Sequence, residues 1–295
     1  MMNDRRLCVF GEVLFDHFAD GTRVLGGAPF NVAWHLQAFG QAPHFISRVG
    51  NDPDGEDIRV AMTGWGMDTS GLQTDPVHPT GRVDIRFLDD EPVYDIVRPC
   101  AYDAIEHEAK SSDCGLLYHG SLGLREPRSR QTLRHLLAGH PGTVFVDVNL
   151  RPPWWQREQV VEMLSTADWV KLNTDELARL SPPDLSGTPL ATDFLDRHKL
   201  TGLLLTHGAG GAELFTAAGD HLKVRPDADT EVVDTVGAGD AFASVTILGL
   251  ANAWPLDLTL RRAQTFASRI VGNRGATVSH ADFYQPFLTE WGLRA

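Results

Sequence analysis

Asp234-Thr235-Val236-Gly237-Ala238-Gly239-Asp240-Ala241-Phe242 is the stretch on which the reading of this sequence turns. Three small residues run into an aspartate, and a helical apolar pattern through Ser244, Ile247 and Leu250 follows. Gly237, Ala238 and Gly239 leave main-chain N–H groups uncovered, and at a helix start such groups converge with the helix dipole on an anion such as phosphate. Asp240 is itself negative and cannot ligate phosphate. It is placed instead to take a proton from a hydroxyl that attacks one. A lone Gly-x-Gly-Asp is more often an N-cap, so the rest of the chain must supply the setting.

Upstream, short apolar runs at 7–10, 44–49, 115–118, 143–148, 169–172 and 203–206 alternate with helix-length amphipathic segments. Near-continuous runs suit strands covered on both faces. Segments 30–39 and 128–138 are closed by Gly40 and Gly139, which supply helix stops. The alternation is βαβ, so the expected fold is α/β with a mostly parallel central sheet. Residues 82–87 and 93–97 differ: polar and apolar side chains alternate with period two, as in a half-exposed antiparallel pair, with Asp89-Asp90-Glu91-Pro92 as the turn. Segment 15–25, around Asp20-Gly21, can join them. The two segments, about 15–25 and 80–100, then form a small β-sheet that is either a lid or an edge decoration. No repeat, low-complexity tract or linker divides the chain, so residues 1–295 read as a single domain.

Composition bounds the function. The 295 residues are 42% hydrophobic, enough for a substantial core. Twenty-six Lys and Arg against 39 Asp and Glu give a net charge of −13, which argues against nucleic acid as the main partner. No apolar run approaches the roughly 20 residues that cross a bilayer. The N-terminus passes into only four apolar residues, too few for a signal-peptide core, so a cytoplasmic protein is expected. Cys8, Cys100 and Cys114 are odd in number and widely spaced, and all three are read as reduced thiols.

Other motifs carry parts of a site. In Gly26-Gly27-Ala28-Pro29-Phe30-Asn31 paired glycines let a ligand approach the main chain, Asn31 offers a polyol both donor and acceptor, and Asp16 offers an acceptor for sugar hydroxyls. Asp147-Val148-Asn149-Leu150-Arg151 and Asn173-Thr174-Asp175-Glu176 each end an apolar strand, where parallel folds bind ligands. Asn173 and Glu176 suit either waters around Mg²⁺ or a capping box. Thr206-His207-Gly208-Ala209-Gly210-Gly211 is a loop along which a nucleotide could pass. No Gly-Lys-Ser/Thr P-loop and no Gly-x-Gly-x-x-Gly after the first strand exist in the chain, which disfavours a P-loop enzyme and a dinucleotide oxidoreductase.

These motifs, in this order, resemble the ribokinase-like (PfkB) carbohydrate kinase family over nearly the whole chain. The resemblance implies a three-layer αβα sandwich with a small β-sheet lid and transfer of the ATP γ-phosphoryl group to a sugar hydroxyl. It makes Asp240 the base and the amides of Gly237, Ala238 and Gly239 the anion hole. It implies sugar binding by Asp16, Gly27 and Asn31, nucleotide contacts by Thr206, Gly208, Gly211 and the segment near Asn273, and Mg²⁺ with the ATP. A monovalent cation, K⁺, would lie near Asp234, Val236 and Ser279. Within the family the text looks most like bacterial fructokinases, with 2-keto-3-deoxygluconate kinase as rival. The rival substrate is an anion and needs an inward cation. Arg98 and Arg151 are the candidate substrate-binding cations: alternation puts Arg98 on the face of Tyr94 and Ile96, and puts Arg86 opposite Val83, Ile85 and Phe87. A lid exposing Val83, Ile85 and Phe87 is one that a second copy could cover, giving a homodimer.

Overall fold

Leu7 and Val9 enter one hydrophobic core, Cys8 and Phe10 a second, and all four are buried. That alternation makes three layers. The computed structural model describes residues 6–88, 91–107, 114–140, 142–227 and 231–294. The apolar runs become β1 (Arg6–Phe10), β4 (His44–Gly50), β5 (Leu72–Asp75), β8 (Cys114–His119), β9 (Thr143–Asp147), β10 (Trp169–Asn173), β11 (Gly202–Thr206), β12 (Ala212–Thr216) and β13 (His221–Val224). They form one sheet in the order β13-β12-β11-β10-β9-β8-β1-β4-β5. Its pairings are parallel except β11–β12 and β12–β13.

Helices α1 (Ala28–Ala38), α2 (Pro53–Gly64), α7 (Ala238–Ala251), α8 (Leu256–Val271) and α9 (Gln285–Trp291) share the core of Leu7 and Val9. Helices α3 (Pro127–Leu137), α4 (Arg157–Leu164), α5 (Thr174–Leu180) and α6 (Gly187–His198) cover the opposite face, with Cys8 and Phe10. Helix α7 buries every residue from Ala241 to Gly249, and α1 buries every residue from Pro29 to Leu36. A helix without a polar stripe belongs inside. The two pack side by side, which brings together N-terminal turns far apart in sequence.

The period-two segments form a second sheet: β2 (Leu14–Phe18), β3 (Arg23–Gly26), β6 (Gly81–Leu88) and β7 (Glu91–Ile96), in the order β3-β2-β6-β7. β6 and β7 are antiparallel as expected, and β2 joins β6 in parallel. The turn residues Asp89 and Asp90 lie outside the described residues. Arg86 is exposed, as the alternation predicts. The expectation that this sheet bares Val83, Ile85 and Phe87 for a partner is corrected at the first two, which are buried inside the chain in the core that holds Leu14, Ile96 and Tyr102, while the Phe87 side chain lies outside the described residues. Only a nonlocal contact could have shown that the apolar face folds onto the body.

The cysteine reading is corrected as well. Cys8 and Cys114 form a disulfide across adjacent strands β1 and β8, with Cα atoms 5.7 Å apart. They are separated by 106 residues, and spacing rules do not see a strand pairing at that distance. Cys100 keeps a free, buried thiol. Among the described residues, no helix is long and apolar enough to cross a membrane.

Candidate active site

The residues expected on the sugar side gather where β1 hands over to the second sheet. Gly27 caps α1 with φ 109°, and a Cβ there would stand 2.7 Å from the Glu12 carbonyl oxygen, so no side chain fits. One turn on, Asn31 is buried, and its Nδ2 donates to Asp240 Oδ2 at 2.7 Å. Among the described residues Asn31 Oδ1 is buried with no hydrogen-bond partner, which leaves it free to accept one. Asp16, on β2, is half-buried. Burial pushes its carboxyl up to about 6, against the pull of Arg151 and His17. Glu12 is more deeply buried, and desolvation raises it to about 7 although Gly123 N–H donates to Oε2 at 3.0 Å. The Arg151 side chain is exposed, yet its charge is felt by Glu12, Asp16 and Asp240.

Across this group stands the start of α7. Gly237 is its N-cap at φ 78°, and a Cβ there would come within 2.4 Å of the Ala276 Cα. Ala238 and Gly239 open the helix, leaving first-turn amides without intrahelical acceptors. Asp240 follows at once. Burial lifts its carboxyl to about 6; the Asn31 hydrogen bond, Lys171 and Arg151 oppose the lift, and Asp147 adds to it. Lys171 and Asp147 face each other in the β9–β10 register, with Nζ donating to the two carboxylate oxygens at 2.9 and 2.8 Å. Burial works against the Lys171 charge, but the carboxylates of Asp147, Asp240 and Glu176 outweigh it and hold the ammonium above its ordinary range.

The expected nucleotide side lies along the carboxyl ends of β10 and β11, where Asn173 and Thr206 are paired in register. Asn173 and Glu176 form a capping box: Asn173 Oδ1 accepts from Glu176 N–H, and Glu176 Oε2 from Asn173 N–H, both at 2.9 Å. Glu176 Oε1 also accepts from Leu150 N–H at 2.7 Å. Each carboxylate oxygen keeps a lone pair, which suits waters around Mg²⁺ better than direct ligation. Gly208 is at φ 56° with open space around it, whereas Gly211, at φ 93°, lies against the Val224 carbonyl. Asn273 closes α8, its Nδ2 donating back to the Arg269 carbonyl at 2.8 Å. The residues expected near a monovalent cation do not form a side-chain ligand set. Asp234 accepts from Val236 N–H and Gly275 N–H at 3.0 Å, Val236 offers only an apolar side chain, and Ser279 is exposed. What remains there for a cation is main-chain oxygen.

The structure thus brings Asp16, Gly27, Asn31, Arg151 and Asp240 together, but not Arg98. Its side chain is 52% exposed, 3.6 Å from Glu126 and stacked on the Trp154 ring at 5.0 Å. Strand β7 ends at Ile96, so alternation no longer fixes where residue 98 points. Two charged members of the site, Glu12 and Lys171, were not singled out by motif reading. The signal was there: Lys171 interrupts the apolar run 169–172, and a charge inside a doubly covered strand must be paired.

Residues 2–282 match the model of the pfkB family of carbohydrate kinases. A fructokinase of Salmonella typhimurium is 32% identical, over 92% of this chain and 94% of its own length. The crystal structure of a fructokinase with bound ATP from Xylella fastidiosa superposes with a TM-score of 0.85, at 22% identity, covering 97% of this chain and 99% of that one. That of a Vibrio cholerae O395 fructokinase in its fructose-, ADP- and calcium-bound form gives 0.80 at 26% identity, covering 95% and 98%.

Proposed function

We propose that this chain, which belongs to the pfkB family of carbohydrate kinases, transfers the γ-phosphoryl group of ATP to the 6-hydroxyl of D-fructose. The observation that carries the choice of a neutral sugar is the charge of the site. Glu12, Asp16 and Asp240 face it together, and burial alone already raises each carboxyl. A carboxylate or phosphate on the sugar would bring a further negative charge among them. Lys171 is held by Asp147 beside Gly239 at the start of α7, and Arg98 lies against Glu126 and Trp154, which leaves Arg151 to meet it. A neutral ketohexose needs no such partner, and the Salmonella typhimurium relative is a fructokinase.

In this reading Asp16 and Asn31 Oδ1 accept hydroxyl hydrogens and hold the sugar against the bare main chain at Gly27. The acceptor hydroxyl lies at Asp240, which the Asn31 amide orients. As the hydroxyl oxygen bonds to the γ-phosphorus, its proton passes to Asp240. The bond from that phosphorus to the β–γ bridging oxygen breaks, and ADP leaves with the electron pair. The first-turn amides of α7 and the positive end of its dipole meet the charge on the transferring group without reorganising. Mg²⁺ neutralises phosphate charge when bound, and Asn173 and Glu176 would hold its waters.

The test is kcat/KM with ATP for fructose, 2-keto-3-deoxygluconate and fructose 6-phosphate at low and high salt. Fructose is expected to lead, with little salt dependence in its binding. A preference for either anion overturns the fructose assignment.

A further inference from the structure

Lys171 carries its charge in an unusual place. It is 93% buried by its 7% relative exposure, in the body of β10, and a structural Lys–Asp pair at that depth already costs desolvation. Its position adds to that. A Cβ built on Gly239 would lie 3.2 Å from Lys171 Nζ. Because Cα–Cβ bonds lean toward the helix N-terminus, the ammonium stands at the mouth of α7 rather than beneath its body. That is the positive end of the dipole, where a cation is least welcome. A pair that served only to join β9 to β10 gains nothing from this end of α7. A second positive group beside first-turn amides that have no intrahelical acceptor is favourable when an anion enters between them. Gly239 keeps the approach open, since a side chain there would press on Nζ.

We propose that Lys171 is a catalytic residue whose ammonium contacts the γ-phosphoryl group during transfer, adding a side-chain charge to the main-chain anion hole of α7. This rests on the kinase reading above. Asp147 is then a positioning residue, holding Nζ through two hydrogen bonds. As the γ-phosphoryl group leaves ADP and bonds to the sugar oxygen, negative charge spreads over its equatorial oxygens. Lys171 meets that charge, and the proton goes to Asp240.

The test separates this role from mere balancing of Asp147. Lys171→Met alone strands a buried carboxylate, so the informative protein is the double variant Lys171→Met/Asp147→Asn, which removes both charges and lets the strands pack. Calorimetry with ADP and with the non-hydrolysable analogue AMP-PNP reads the γ-position directly. The double variant is expected to bind ADP within about threefold of wild type, to lose about tenfold or more in AMP-PNP affinity, and to lose about 10²–10³-fold in kcat. Recovery of wild-type kcat, or equal effects on the two nucleotides, would overturn the role. A wild-type protein that phosphorylates no sugar overturns the kinase reading instead, so the two failures are distinct.

Discussion

Replacing Glu12 by Gln is expected to stabilise the protein in neutral and alkaline solution and to do nothing of the kind in acid. Glu12 is buried at the turn from β1 into the second sheet, and desolvation moves its carboxyl from 4.5 to about 7. The folded state therefore keeps a proton that the unfolded chain gives up. Glu12 contributes fully below about pH 4.5, and that contribution is lost as pH rises through about 7. A displacement of that size is worth about 3 kcal/mol. Gln keeps an oxygen for the Gly123 N–H and has no proton to lose. Thermal unfolding at about pH 8 should show the variant melting roughly 5 °C above wild type, with the difference vanishing near about pH 4. Equal differences at both pH values, or none at pH 8, would refute the claim that this carboxyl is ionised against its surroundings. The cost is borne beside Asp240, whose charge adds to the lift of the Glu12 carboxyl.

The Asp240 carboxyl sits at about 6 and must be ionised to accept a proton, so kcat should fall about tenfold per pH unit below that value and level off above it; a flat profile down to about pH 4.5 would contradict the assignment. Gly237→Ala forces a Cβ into the main chain at Ala276 from a left-handed conformation, and should lower stability by about 1–3 kcal/mol and depress kcat more than sugar KM. Unaltered melting and turnover would show that the loop does not depend on this geometry.

Legibility in the sequence followed locality. Runs such as 143–148 and 203–206 announce doubly covered strands because each residue reports its own burial, and all of them became strands. The Gly237–Asp240 and Gly27–Asn31 clusters were legible because the glycine-dependent turns and the polar side chains beside them lie within a few residues of one another. What failed was nonlocal. Cys8 meets Cys114 only because β1 and β8 are neighbours, and Val83 and Ile85 are covered only because the second sheet folds onto the core around Tyr102. Arg98 follows the end of β7, where period-two reasoning lapses. Lys171 was visible as a charge in an apolar run, but its partner, Asp147, lies on the adjacent strand and its neighbour, Gly239, on α7.

The most direct measurement is the turnover of Asp240→Asn, with ADP and fructose affinities taken by calorimetry on the same protein. Asn preserves shape and can still pair with Asn31, but it cannot take a proton. The account predicts kcat reduced by about 10²–10⁴-fold with both affinities within about threefold of wild type. Turnover within about tenfold of wild type at saturating substrates would contradict it, because the base would then lie elsewhere.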